Sequence, residues 1–369
     1  MNDSQSLERF RRRGKALSSA LAKEMNRVGA FHAAETFVID VEASNRCHAT
    51  CDFCPRDRTP HQGFMSQDTF GQVLNRAMEF RDIVQEMQAG RLDFSFCGLG
   101  EGALNPLLPG FMRMATDAGF RPCLCTNGDL LTERRSQELL DAGLCDIFIN
   151  VGALNEEYDR VYGLSFERTV RNIERFMELA QDRCHTWIVL VDYRMDAEHT
   201  ARVRAFWEAR GVRRFYPSPM LNRTGAIEHE VLNFHDHAME ASARALFDGN
   251  VPGCYAPIQC IVIGYDGNFY LCNSDWQKEE AAGSVFEVSV TEAMRRRLSR
   301  ARDRNCSICQ RCNHDPLNQV SRMLAEGAEP DLVRASVDVL QQRERSADAF
   351  LAALARRGYL ADPAGLASP

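Results

Sequence analysis

Asn45-Arg46-Cys47-His48-Ala49-Thr50-Cys51-Asp52-Phe53-Cys54-Pro55-Arg56 is the stretch on which the reading of this chain turns. Cys47, Cys51 and Cys54 stand in the spacing C-x3-C-x2-C. They follow residues 36–42, TFVIDVE, whose β-branched and apolar residues read as a strand. Three thiolates so close together can hold three irons of a 4Fe–4S cluster and leave the fourth iron open to a ligand. The competing metal is zinc, which favours four protein ligands in a closed structural site. His48 is the nearby fourth donor for that alternative, but its place beside Cys47 within the loop is awkward for closing a tetrahedron.

Outward from this loop, strand and helix patterns alternate. Residues 66–80 read as a helix with Ser66 as N-cap, and residues 93–97 as a strand followed by a glycine-rich loop. Residues 109–118 are helical, and residues 121–126 form a strand that stops at the turn Asn127-Gly128. A helix over 132–142 ends at Gly143, and a strand follows over 146–151. Ile173, Phe176, Met177 and Ala180 recur at helical spacing within 166–180. Strand 186–191, helix 197–210 and strand 214–218 complete six strand–helix repeats. Such alternation implies an α/β fold with a parallel sheet, open or rolled into a full or partial barrel, with chemistry at the C-terminal strand ends.

The expected organisation is a helical segment over 1–35, a barrel over 36–250, a small cysteine-rich domain over 251–320 and a helical tail over 321–369. Arg11, Arg12, Arg13 and Lys15 read as a solvated helix face. The chain has 369 residues and 14 cysteines. A disulfide framework suits short secreted chains, and the N-terminus shows no apolar signal core. No stretch approaches the roughly 18 apolar residues of a membrane span. The expectation is therefore a cytoplasmic protein, where clustered cysteines bind metal or do redox chemistry. Acidic residues outnumber basic ones, 51 against 44, which gives no general pull on nucleic acid or an anionic membrane. The short run Arg295–Arg297 does not change that balance.

The Cys47–Cys54 loop, with Phe53 before its third cysteine, resembles the signature loop of the radical SAM enzymes. The resemblance implies a partial (β/α)6 barrel and an open iron chelated by the amino and carboxylate groups of S-adenosylmethionine. It implies a flavodoxin- or ferredoxin-type electron donor, and a 5′-deoxyadenosyl radical that abstracts hydrogen from substrate. Phe96-Cys97-Gly98-Leu99-Gly100-Glu101-Gly102 is similar to the family's Gly-Gly-Glu motif. There Gly98 and Gly100 would let the backbone approach a ligand and Glu101 would accept from an ammonium. The family's usual proline after this Glu is replaced by Gly102. Thr126-Asn127-Gly128 is similar to a family turn near the cofactor. Asn150 and Gly152 stand where many relatives carry Ser and Asp, and Asn150 keeps the capacity to bond a hydroxyl. Arg194, after the fifth strand, is a candidate for the cofactor carboxylate.

A second cluster of cysteines reads Cys254-x12-Gly267-x4-Cys272, then Cys306-x2-Cys309-x2-Cys312. Tyr265-Asp266-Gly267-Asn268 is a hairpin turn between the first two. Four thiolates permit a closed zinc site or a fully ligated iron–sulfur cluster, and the chemistry alone leaves both open. Residues 254–257 and 266–273, with Gly283-Ser284-Val285-Phe286 and the helix after it, resemble the SPASM/twitch extension of radical SAM enzymes. The two-cluster version of that extension uses seven cysteines, whereas six stand here. The resemblance thus implies one auxiliary 4Fe–4S cluster, held by Cys254, Cys272 and two of Cys306, Cys309 and Cys312. Cys260 reads as packing, as do Cys123, Cys145 and Cys184. Cys97 and Cys125, at strand ends facing the site, are candidates to donate a hydrogen atom to a substrate radical.

The resemblance points to a small polar substrate, such as an amino sugar, an aminocyclitol or a natural-product intermediate, undergoing dehydrogenation or epimerisation. The alternative is a maturase of a ribosomally made peptide. Such relatives commonly carry a recognition domain of strands and helices before the barrel, where residues 1–35 stand here. Asn150, Tyr193 and Tyr216 are the candidate wall residues.

Overall fold

The structure, a computed structural model, describes residues 36–219, 222–227, 237–279, 281–303 and 306–360. The basic run from Arg11 to Lys15 lies outside the described residues.

The frame is a nine-stranded sheet. In chain order its strands are β1 (Thr36–Val41), β2 (Arg91–Phe96), β3 (Pro122–Thr126), β4 (Asp146–Asn150), β5 (His185–Asp192), β6 (Arg214–Pro219), β7 (Cys260–Ile263), β8 (Asn268–Tyr270) and β9 (Ala281–Ser284). They are arranged β6-β5-β4-β3-β2-β1-β7-β8-β9. The pairs from β2 to β6 are parallel, as the strand–helix alternation requires. The expected partial barrel of parallel strands is present.

Helices return the chain between strands: α1 (Gln67–Glu86), α2 (Leu108–Asp117), α3 (Glu133–Asp141), α4 (Asn155–Tyr162), α5 (Phe166–Ala180) and α6 (Ala197–Glu208). Ser66, Thr132 and Ser165 each accept a first-turn N–H, at 3.1, 3.3 and 3.3 Å, and so start α1, α3 and α5. The N-cap of α1 is the one its sequence announces. α4 was not expected; its signals are Glu156 and Glu157 in the first turn and Gly163 at the stop. Phe70 on α1 stacks on Phe111 of α2 at 4.4 Å and meets Phe94 and Phe96 of β2. Each such ring, removed from water, contributes about 2 kcal/mol. Since side chains alternate along a strand, Ser95 and Cys97 take the opposite face. β3 follows suit, with Leu124 fully buried between half-buried Cys123 and Cys125.

The chain divides into two compact units, at points other than residue 250. Residues 37–220 and 260–290 form one. β7 belongs to it because Val38–Val41 pair in parallel with Cys260–Ile263, and β8 then folds back on β7. The second unit takes the described residues within 222–259 and 291–360. Its described helices include α7 (His237–Leu246), α8 (Val290–Arg302), α9 (Pro316–Ala325) and α10 (Pro330–Arg356). Phe247, Leu317, Val320, Met323, Val333, Val337 and Leu340 build its core.

Candidate functional site

The loop after β1 is fixed by its backbone. The Asn45 carboxamide accepts from Gly63 N–H at 2.8 Å and donates to His61 O at 2.7 Å. Thr50 N–H and Asp52 N–H donate to the carbonyls of Tyr162 and Val161 at the end of α4, at 2.9 and 3.2 Å. Arg56 spans back to Ala49 O at 2.9 Å. Phe53 stacks on Tyr193 at 5.9 Å and meets the edge of Tyr162 at 5.3 Å.

Cys47, Cys51 and Cys54 are half-buried free thiols on this clamped loop. Burial pushes the Cys47 thiol up to about 11, with Ala49 N–H opposing and the Glu101 carboxylate adding to it. Burial raises Cys51 further, helped by Cys54 and Cys47. The Arg56 charge only partly offsets this rise at Cys47 and Cys51, and soft metal ions supply the remaining counter-charge as they displace the protons. The donor set therefore fits an iron–sulfur cluster. Among the described residues no three His, Cys, Asp or Glu converge on a single ion; a four-iron cluster gives each thiolate its own iron.

The loop after β2 lies against this one. A Cβ on Gly100 would stand 2.2 Å from Ser44 O and 2.4 Å from Asn45 Cα, and one on Gly98 would stand 2.1 Å from Glu42 Cγ. These glycines thus admit the start of the cysteine loop and the end of β1, rather than only a ligand. Glu101 is buried, and its N–H donates to Arg46 O at 2.7 Å. Its Oε1 accepts from Ala103 N–H at 3.0 Å and Thr126 Oγ1 at 2.9 Å, and its Oε2 from Asn127 N–H at 2.8 Å. Burial pushes this carboxyl above its ordinary value, and the three hydrogen bonds oppose the rise. Asn150 Nδ2 donates to Thr126 O at 3.3 Å. Glu101, Thr126, Asn127 and Asn150 are therefore brought together at the ends of β2, β3 and β4.

The Radical SAM superfamily pattern matches residues 41–203, which span the cysteine loop and the ends of β2, β3, β4 and β5. These residues belong to the radical SAM superfamily. The family's cofactors are a 4Fe–4S cluster and S-adenosylmethionine. The chain is 30% identical over 144 residues to the S-adenosyl-L-methionine-dependent 2-deoxy-scyllo-inosamine dehydrogenase of Niallia circulans, covering 36% of this chain and 54% of that protein. It is 32% identical over 136 residues to the PqqA peptide cyclase of Bradyrhizobium diazoefficiens, covering 35% of this chain and 33% of that protein. It thus spans about half or less of the length of these curated relatives. The AdoMet-bound structure of anSMEcpe shares the fold at a TM-score of 0.55 and 15% identity, over 82% of this chain and 99% of that one.

Other expected residues of the radical SAM domain are placed differently. Arg194 NH1 pairs with Glu157 Oε1 of α4 at 3.0 Å, and that oxygen also accepts from Tyr193 OH at 2.5 Å. Cys97 and Cys125 are neighbours, and the interaction of the Cys125 S–H with the Cys97 sulfur is the largest of the influences that raise the Cys125 thiol, ahead of burial. Tyr216 is exposed on β6. Cys260 does more than pack: its thiol donates to buried Asp40 at 2.7 Å, which also accepts from Asn273 Nδ2 at 2.9 Å. Sequence reading passed over Asp40, although an acid in the middle of an apolar strand is itself a signal. It also passed over Glu42, Asp129 and Lys278.

Of the remaining candidate metal ligands, Cys254, Cys306, Cys309 and Cys312 lie in the helical unit, and Cys272 follows β8 in the sheet unit. Cys272 and Cys312 each receive an N–H two residues on, from Ser274 at 3.4 Å and His314 at 3.3 Å. No described helix is long and apolar enough to cross a membrane.

Proposed function

We propose that this radical SAM enzyme oxidises or epimerises a small polar ring, an amino sugar, an aminocyclitol or a related natural-product intermediate. The observation that carries the reading is one face of the sheet. Cys125, Phe148 and Trp187 are register partners across β3, β4 and β5, and Cys97, the residue after β2, neighbours Cys125. Phe148 and Trp187 stack at 5.6 Å, and Asp146 on the same face accepts from Trp187 Nε1 at 3.0 Å. A platform of stacked rings beside thiols and a carboxylate suits a ring with both C–H and polar groups. Likeness to an inosamine dehydrogenase supports the same class.

Cys47, Cys51 and Cys54 would hold the radical-generating cluster, with Glu101, Thr126, Asn127 and Asn150 beside the bound cofactor. When bound, the cluster and S-adenosylmethionine supply a 5′-deoxyadenosyl radical that takes a hydrogen atom from the substrate. Cys97 or Cys125 offers an S–H from which a substrate carbon radical regains hydrogen, the step epimerisation needs. Cys254, Cys272 and two of Cys306, Cys309 and Cys312 are assigned to one auxiliary 4Fe–4S cluster on their sequence pattern, and a flavodoxin- or ferredoxin-type protein is the proposed electron donor.

Two measurements test this. Iron content after anaerobic reconstitution should be about eight per chain, falling to about four when Cys47, Cys51 and Cys54 are replaced by Ala. Deuterium on a ring carbon of an aminocyclitol or amino sugar should appear in 5′-deoxyadenosine. Transfer from a peptide and from no such ring would overturn the small-ring reading and favour the maturase that the PqqA peptide cyclase likeness suggests.

A further inference from the structure

We propose that Asn127, aimed by Asp129, is a positioning residue that hydrogen-bonds the Cys47 thiolate and raises the reduction potential of the radical-generating cluster. The inference rests on Cys47 being a ligand of that cluster.

Asn127 follows β3 and is buried. Its main-chain N–H is held by Glu101 Oε2 at 2.8 Å. Its side-chain oxygen accepts the Asp129 N–H at 3.0 Å. That bond decides which way the carboxamide points. A flipped amide would set two N–H groups against each other, so Nδ2 is the end turned to Cys47 Sγ, at 3.8 Å. Ala49 N–H reaches the same sulfur at 3.4 Å. Cys47 thus collects one donor from its own loop and one from the end of β3.

Asp129 is a firm anchor for this arrangement. Its side chain is 5% exposed, with Oδ1 on Arg168 Nε at 2.7 Å and Oδ2 on His48 Nε2 at 3.0 Å. Its carbonyl accepts from Asn172 Nδ2 at 2.7 Å. Arg168 and Asn172 stand on α5, and His48 is the neighbour of Cys47. One residue therefore fixes both the cysteine loop and the amide that touches its first sulfur. A ligand sulfur that accepts hydrogen bonds carries added negative charge more easily, so the reduced cluster is favoured.

The test is a redox titration of the reconstituted full chain, followed by electron paramagnetic resonance. The signal read is the one that Cys47→Ala abolishes. Asn127→Ala removes the donor and adds no bulk. At a fixed applied potential, the reduced-to-oxidised ratio of that signal should fall by about threefold to tenfold, tenfold being about 59 mV for one electron. Iron content should match that of the wild type. Asn127→Asp, which puts a carboxylate in place of the donor, should lower the ratio further. Asp129→Asn keeps the N–H to Asn127 but weakens the hold on Arg168 and His48, so its shift should have the same sign and be smaller. An unchanged potential in Asn127→Ala and Asn127→Asp, at full iron content, overturns the proposal. A Cys47→Ala chain that keeps every signal overturns instead the reading of Cys47 as a ligand.

Discussion

The Lys278 ammonium lies 2.7 Å from Glu42 Oε2, and both side chains are buried, at 6% and 2% exposure. Lys278 reaches this position with φ of +59°, in the left-handed region, and its Nζ stands 4.3 Å from the centre of the Tyr270 ring. The other carboxylate oxygen accepts the Leu99 N–H at 3.1 Å. Residues from three distant parts of the sheet unit thus meet at the end of β1. A charge left alone in such a place is costly, whereas removing both charges is far less so. Lys278→Met should lower stability by about 3–5 kcal/mol. Adding Glu42→Met should return much of that loss. A double-mutant cycle by urea denaturation checks it, and strictly additive losses would mean that the two groups do not couple.

Two glycines in the sheet unit separate space from strain. At Gly100 a Cβ would strike backbone, Ser44 O at 2.2 Å and Asn45 Cα at 2.4 Å, so no side chain can yield. At Gly71, inside α1, nothing lies within 4 Å. Gly71→Ala should stabilise the chain by about 0.5–1 kcal/mol, the helical cost of glycine relative to alanine. Gly100→Ala should displace the start of the cysteine loop and reduce the iron retained after reconstitution. Thermal melts and iron assays on the two variants read both effects. Full iron in Gly100→Ala would mean that the loop has room to move.

These contrasts show what was legible in the sequence. Ser66 announces the start of α1 because capping is decided within three or four residues. The cysteine loop is legible for the same reason, since its three thiols lie within eight residues. Glu42 and Lys278 are 236 positions apart, and Asp40 and Cys260 are 220 apart. No local pattern carries information over such a distance. The glycines after β2 were visible as glycines, but sequence does not say which surface approaches them. Arg194 is a candidate for the cofactor carboxylate from its place after the fifth strand, and its pairing with Glu157 was not legible because Glu157 stands on α4, the helix that was not anticipated.

Arg194 therefore supports a prediction of its own. Its pair with Glu157 is half-exposed, and such pairs contribute about 0–1 kcal/mol. If Glu157 is its working partner, Arg194→Gln should change S-adenosylmethionine affinity by less than about threefold. A direct charge-assisted bond to the cofactor carboxylate would be worth about 1.5–3 kcal/mol, or roughly tenfold to a hundredfold. Equilibrium binding to the reconstituted chain distinguishes the two, and a tenfold loss would return Arg194 to the cofactor.

In the helical unit, Arg322 and Glu326 form a buried pair that is only partly satisfied. Arg322 Nε meets Glu326 Oε1 at 2.8 Å, with side chains 6% and 8% exposed. Arg322 NH2 and Glu326 Oε2 have no hydrogen-bond partner among the described residues. Burial accordingly pushes the Glu326 carboxyl above its ordinary value near 4.5, and Arg322 only partly offsets the rise. The sign for stability follows. Below pH 4.5 the group is protonated in both the folded and the unfolded chain. As pH rises, the unfolded chain ionises first, so stability falls until the raised folded value is passed and then stays level. Glu326→Gln lacks this titration. Its stability relative to the wild type should therefore climb from pH 4.5 upward and then reach a plateau. Urea denaturation of both proteins across a pH series measures the difference, and a flat difference would show that the Glu326 charge is not penalised by its surroundings.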